Sequence, residues 1–240
     1  MDFGAVLLKV EGTLSPAAYI QDELFPFAHR RLRQFLIEYR GRDEVKRAIS
    51  GLVLEQQKKD FAQTQTSAED LNSLGFANVI DYCLRMVSSK RKSVALQSLL
   101  ELIWRQGFLS GELCSEIFAD VPPVFQHWRR LNRKVATCSW LSAGSQELFF
   151  RFSEWGDLTP YIHFFFNENQ GAEALPAYQR IIHELQCRPA EVLFISDAPI
   201  ELDAAHGMGM ATALVARTGA APAANAAHRL VLDLNDLTLE

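Results

Sequence analysis

A doubly wound parallel sheet interrupted by an all-helical insertion is the fold class this sequence predicts, and three observations predict it. Short apolar runs closed by polar or glycine-containing turns occur at the start of the chain and again in its second half. Helix-spaced apolar patterns alternate with those later runs. Between about residues 16 and 122, strand patterns are nearly absent while helical periodicity continues. Such alternation builds a Rossmann-like sheet with helical crossovers. A chain of 240 residues can hold that domain and a smaller inserted one.

The first run, residues 5–10, ends at Glu11-Gly12. Its unbroken apolar character is that of a strand covered on both faces rather than of an amphipathic helix. Helical spacing follows over 24–39, 43–58, 71–87 and 94–106, with the polar stretch 62–70 as an interhelical loop. Pro122-Pro123 marks the return to the sheet. Strands are then expected at 134–138, closed by Ser139, at 162–166, at 192–195, closed by Ser196-Asp197, and at 211–215. Helices over 145–152, 175–185 and 200–206 supply the crossovers, and the alanine-rich 220–227 reads as a loop. The expected organisation is a Rossmann-like core domain of 1–15 plus 123–240 and a helical cap domain of 16–122.

Composition narrows the function classes. With 48% hydrophobic and 22% charged residues, the chain has the makings of a packed core rather than of a disordered one. Lys and Arg are scattered and the net charge is -5, which leaves no nucleic-acid footprint. Cys83, Cys114, Cys138 and Cys187 form no CxxC pair, and the six histidines show no HxH or HxxxH spacing, so zinc-site patterns are absent from the sequence. The opening MDFGAVLLKVEGT lacks the basic segment and cleavage site of a signal peptide, and its apolar run is too short to span a membrane. An unprocessed cytoplasmic protein with no membrane partner is expected.

In a doubly wound sheet, residues just beyond the carboxyl ends of the strands converge on one crevice. Glu11, Ser139 and Asp197 are therefore expected to approach one another across long sequence separations. The same residues carry a family resemblance. Glu11-Gly12-Thr13, Leu24-Phe25-Pro26, Arg91-Lys92 with Ala95-Leu96 and Trp104, Gly156-Asp157-Leu158, and Leu193-Phe194-Ile195-Ser196-Asp197 occur in this order. The set resembles the acireductone synthase, or enolase-phosphatase, family of the haloacid dehalogenase-like superfamily.

That resemblance implies a magnesium-dependent phosphatase whose first strand ends in Asp-x-Glu-Gly-Thr, the aspartate attacking phosphorus and binding the metal. Here Lys9 stands on the aspartate position and Glu11 on the second acid. Of the family's two phosphate-holding serines, Ser139 is retained and Trp140 replaces the other. The family's phosphate-neutralising lysine falls on Glu173, or on Ala172 if the alignment slides by one residue. Its later metal-binding aspartate is retained as Asp197. The resemblance thus assigns Lys9, Glu11 and Asp197 to the catalytic positions, Ser139, Trp140 and Glu173 to ligand binding, and Glu11 and Asp197 to a weakened or lost metal site.

A phosphoaspartyl mechanism needs a carboxylate nucleophile, and a protonated lysine has no lone pair with which to attack. Replacing a magnesium ligand by an ammonium removes an oxygen and adds repulsion. Three roles are open to Lys9: neutralising Asp197, Glu11 or Glu173, binding an anionic ligand, or acting chemically as a base or imine-forming amine. Asp197 and Ser139 also suit ordinary cap and turn positions, and Lys90-Arg91-Lys92 suits a solvated helix start. The expected function is an enolase-phosphatase-like protein without phosphoaspartyl activity, binding a phosphorylated metabolite or a protein partner. The alternatives are altered chemistry at Lys9 and residual magnesium-dependent acireductone synthase activity in methionine salvage.

Overall fold

The first strand, β1 (Ala5–Lys9), is buried at every position, as its unbroken apolar run requires of a strand covered on both faces. Five strands join it: β2 (Lys134–Ser139), β3 (Phe164–Asn167), β4 (Val192–Ser196), β5 (Ala211–Val215) and β6 (Arg229–Val231). Their order across the sheet is β3-β2-β1-β4-β5-β6, and every pairing is parallel. The chain winds outward from β1 through β2 to β3, then crosses back to β4 and winds the other way. The reversal falls between β1 and β4, and a ligand crevice is expected beyond the carboxyl ends at such a switch point.

In this computed structural model, residues 3–63, 76–89, 93–168, 174–217 and 227–237 are described. The chain divides into two units, one of residues 1–19 and 114–240 and one of residues 20–113.

Among its described residues the second unit holds a π-helical turn, Ile20–Leu24, followed by the helices α1 (Phe25–Tyr39), α2 (Asp43–Gln63), α3 (Phe76–Ser88) and α4 (Val94–Ser110), and no strand. In α1 the buried Phe27, Ala28, Leu32, Phe35 and Leu36 follow helical spacing and form its inward stripe. Pro26 sits in the first turn, where its missing N–H leaves no bond unmade. The Trp104 indole N–H donates to the Leu24 carbonyl at 2.7 Å, which satisfies the polar edge of a fully buried ring. Ser93 caps α4 by accepting from the Leu96 N–H at 3.0 Å, and Gly111, at φ 75°, closes it in the left-handed conformation. Helical periodicity reads only to 106 because Gly107 interrupts it. A Cβ at Gly107 would press on the Phe27 ring, so the glycine permits close helix packing inside α4. Helix α2 likewise runs through Gln63, past the expected end at 58. Residues 64–75, the rest of the expected loop and the start of the helix expected at 71, lie outside the described residues.

The sheet unit carries α5 (Val121–Arg130), α6 (Ala143–Arg151), α7 (Ala174–Leu185) and α8 (Pro199–Gly207). Pro122 and Pro123 occupy the first turn of α5. The Ser142 hydroxyl caps α6, which starts two residues before the expected helix at 145. Buried Gln146 locks β2 to β3: its amide donates to the carbonyls of Leu141 and Phe166 and accepts from the Thr137 hydroxyl at 2.7 Å. One face of the sheet packs Leu7, Phe166 and Phe194 against Tyr178, Leu185 and Leu202.

The structure corrects two details. Strand β3 starts at Phe164 rather than 162, because a 3-10 turn at Thr159–Tyr161 leads into it. Strand β6 has only three residues, too few to leave a pattern in the sequence. None of the described helices is long and apolar enough to cross a membrane.

Candidate functional site

Parallel register sets Lys9, the last residue of β1, opposite Cys138 of β2. The lysine is 8% exposed, and its ammonium is surrounded by acids. It donates to the carboxylate of Glu168 and, at 2.9 Å, to that of Glu201, with a Glu11 oxygen at 3.9 Å. Glu168 lies one residue beyond β3, where its own N–H donates to the Ser139 carbonyl at 2.9 Å. Glu201 stands in the first turn of α8, an acid-favouring position at the positive end of a helix. Its second oxygen accepts from the Ser196 hydroxyl at 2.9 Å.

Beyond β1 the chain turns sharply at Gly12, whose φ is 73°. A Cβ at that position would collide with the Asp197 carboxylate, so glycine alone lets the loop and the end of β4 come this close. The Ser139 hydroxyl donates to Glu11 and accepts from the Leu141 N–H at 3.0 Å. The carbonyl of Trp140 accepts from the Asn167 amide at 3.0 Å. Glu11, Gly12, Ser139 and Asp197 thus share the crevice with Lys9.

The acids anticipated for Lys9 included Asp197 and Glu173. Its ion-pair partners among the described residues are Glu168, Glu201 and Glu11, and Asp197 is not one of them. Glu173 and the Lys90-Arg91-Lys92 cluster lie outside the described residues. Sequence reading missed Glu168 and Glu201. The strand-end rule reaches Glu168 once β3 is allowed to run to Asn167. Glu201 follows Asp197 by four residues and lies in the first turn of the helix that the sequence places at 200–206.

Crowding governs the electrostatics. Burial opposes the charge on Lys9, yet Glu168, Glu11 and Glu201 together outweigh it and hold the ammonium above its ordinary range. Burial pushes the Glu11 carboxyl up to about 7, although Lys9 and the Ser139 hydroxyl pull it down. Burial also raises Glu168 and Asp197 and moves the Cys138 thiol far from a reactive thiolate. Beside this cluster lies a cavity of about 230 Å3 lined by Cys138, Phe166, Asn167, Glu168, Tyr178 and Glu201.

Comparison with known proteins places this chain in a family. No family model matches the sequence. "Enolase-phosphatase E1" of Synechococcus elongatus is 36% identical over 217 residues, covering 89% of each chain. The proteins of that name in Drosophila mojavensis and Yersinia enterocolitica are 34% and 32% identical over 218 and 237 residues. The first pair covers 90% of this chain and 86% of the relative, the second 98% and 97%. This chain belongs to the enolase-phosphatase family. Among solved structures, the UTR4 protein of Saccharomyces cerevisiae superposes with a TM-score of 0.73 at 24% identity, over 97% of this chain and 98% of its own. CbbY from Rhodobacter sphaeroides, solved in complex with phosphate, gives 0.56 at 17% identity, over 98% and 96%. Both share the haloacid dehalogenase-like fold.

Within this enolase-phosphatase-family chain the donor set does not fit the magnesium that the family resemblance implies. Glu11 and Asp197 remain, but the ammonium of Lys9 already sits among the acids that a divalent ion would need. Among the described residues, no group of three or more His, Cys, Asp and Glu side chains is placed to hold a metal ion.

Proposed function

We propose that this member of the enolase-phosphatase family has exchanged phosphoaspartyl hydrolysis for binding, and that its crevice receives a small uncharged or cationic molecule. One observation carries the reading: the last residue of β1 is a lysine whose ammonium is held by Glu168 and Glu201. An acyl phosphate cannot form on an amine, and an amine kept protonated has no lone pair for attack or imine formation. Altered chemistry at Lys9 is therefore the weaker reading, because its acidic neighbours favour the charged form.

The charge balance also speaks to the ligand. Among the described residues, Glu11, Glu168, Glu201 and Asp197 outnumber the ammonium of Lys9, which is already engaged, so a phosphate entering here would meet an excess of carboxylates. The neighbouring cavity has apolar walls from Phe166 and Tyr178 and polar groups from Asn167, Glu168 and Glu201, the usual character of a small-molecule pocket. A phosphorylated metabolite, one of the ligand classes expected from the sequence, is the less favoured occupant.

Phosphatase turnover is the direct test. The purified chain is expected to release no phosphate from phosphorylated enediol-forming or generic phosphoester substrates, with or without magnesium, above the level of an Asp197→Ala control. Turnover that depends on Asp197 would overturn the proposal. A thermal-shift panel then separates the ligand classes: saturable stabilisation is expected from small neutral or amine-bearing molecules, and stabilisation confined to phosphorylated ones would refute the ligand assignment.

A further inference from the structure

We infer that the cavity of about 230 Å3 beside Lys9 is a ring pocket, taking a neutral aromatic molecule that carries N–H or O–H donors. The inference rests on the proposed reading of the crevice as a binding site and narrows its ligand. Size sets the first limit. An apolar cavity of about 150 Å3 holds benzene, so about 230 Å3 admits one substituted ring and no extended chain. Phe166, Tyr178 and Ile181, each no more than 8% exposed, line it together with Cys138 and Ala177. Two of these walls are aromatic and held in place: Phe166 stacks on Phe164 with centroids 5.9 Å apart, and Tyr178 lies 5.6 Å from the Phe194 ring. Such walls suit a flat apolar ring. A polyhydroxylated molecule would leave hydroxyls against them without partners.

The polar part of the lining supplies mainly acceptors. Tyr178 gives its hydroxyl proton to the Glu201 backbone carbonyl at 3.3 Å, and the Asn167 amide donates to the Trp140 carbonyl at 3.0 Å. In their ion pairs with Lys9 the carboxylates of Glu168 and Glu201 accept and have no proton to give. Their side chains stay 34% and 28% exposed, so a molecule can reach them from solvent. An entering ring therefore meets lone pairs. A ring bearing donors completes those acceptors, whereas one without donors covers them and strips their water with nothing in exchange. An anion meets the same carboxylates as like charges and is turned away.

The test titrates the full chain with four probes built on one ring: phenol and aniline, both neutral at neutral pH, toluene, which has no donor, and benzoate, which carries a charge. Ligand-observed NMR is expected to give dissociation constants on the order of fivefold lower for phenol and aniline than for toluene, with no binding of benzoate. Ala177→Phe adds a ring to the lining and is expected to abolish phenol binding. Tyr178→Phe keeps the aromatic wall but deletes one acceptor, and is expected to weaken phenol about threefold. Toluene bound as tightly as phenol, binding of benzoate, no binding of any probe, or phenol binding that either variant leaves unchanged overturns the inference. Should Ala177→Phe fail to fold, Tyr178→Phe decides alone. The inference and the reading beneath it fail separately. Asp197-dependent phosphatase turnover would defeat the proposed loss of hydrolysis and leave the ring pocket untouched, whereas toluene matching phenol would defeat the ring pocket's need for donors and leave the loss of hydrolysis standing.

Discussion

Among the described residues of the sheet unit, Lys9 at the end of β1 and Arg217 just beyond β5 are largely shielded cations, and they are balanced in opposite ways. Arg217 donates to Asp120 at 2.7 Å and to the Thr13 carbonyl, and it lies 4.2 Å from the centre of the Phe118 ring. Asp120 in turn accepts from the Leu234 N–H at 2.6 Å. One charge meets one charge, and the remaining donors reach backbone and ring. Lys9 instead faces three carboxylates, and its bonds to Glu168 and Glu201 run from side chain to side chain with no backbone anchorage. The arginine is matched to its surroundings and ties loops together. The lysine sits in a nest of acids larger than it can neutralise, a poor arrangement for stability and a reasonable one for a site that once served, or still serves, a ligand.

The largest expected effect breaks the matched pair. Asp120→Ala leaves the Arg217 guanidinium buried without its carboxylate and frees the Leu234 N–H, so destabilisation of about 3–5 kcal/mol is expected in urea unfolding. A loss below about 1 kcal/mol would show that water or another acceptor replaces Asp120, and the contrast with Lys9 would collapse.

Lys9→Met is expected to cost less, about 1–2 kcal/mol at pH 7. Its removal leaves like charges together, but the side chains of Glu168 and Glu201 are 34% and 28% exposed and can rehydrate. The cost should shrink toward pH 5, where raised carboxyls such as Glu11 and Glu168 take up protons and cease to repel. A cost that grows on acidification would mean that these acids do not face one another as charges.

The same contrast explains what was legible in the sequence. Strands β1, β2, β4 and β5 announce themselves because each is a buried apolar run closed by a polar turn. Their parallel arrangement then places Glu11 beside Ser139 and Gly12 against Asp197 without knowledge of any side-chain geometry. Lys9 was conspicuous as a charge inside such a run. Its partners were not, because Glu168 and Glu201 occupy positions where an acid has an ordinary reason to be: a strand-end loop and the first turn of a helix. Arg217 and Asp120 are hidden for a related reason. Their pairing joins segments 97 residues apart, and neither lies in a periodic pattern or a strand-end motif.

The smallest expected effect isolates Glu11 through pH. Burial raises its folded-state carboxyl to about 7, above its value in an unfolded chain, with Lys9 and Ser139 only partly offsetting the shift. The folded protein therefore binds this proton more tightly than the unfolded one, so protonation stabilises the fold at low pH. Stability from this group is fully present below the unfolded carboxyl range of about 4.3, declines as pH rises toward 7, and is flat beyond. Glu168 and Asp197, also raised by burial, contribute with the same sign, while Lys9 stays cationic across the window. Unfolding free energies measured from pH 5 to pH 8 should fall steadily as these carboxyls give up their protons. Glu11→Gln keeps an acceptor for the Ser139 hydroxyl but cannot titrate, so it is expected to flatten part of that decline and to leave the pH 5 value nearly unchanged. An unaltered slope in the variant would assign the proton to Glu168 or Asp197, and a slope of the opposite sign would mean that Lys9 neutralises Glu11 far more completely than their 3.9 Å separation implies.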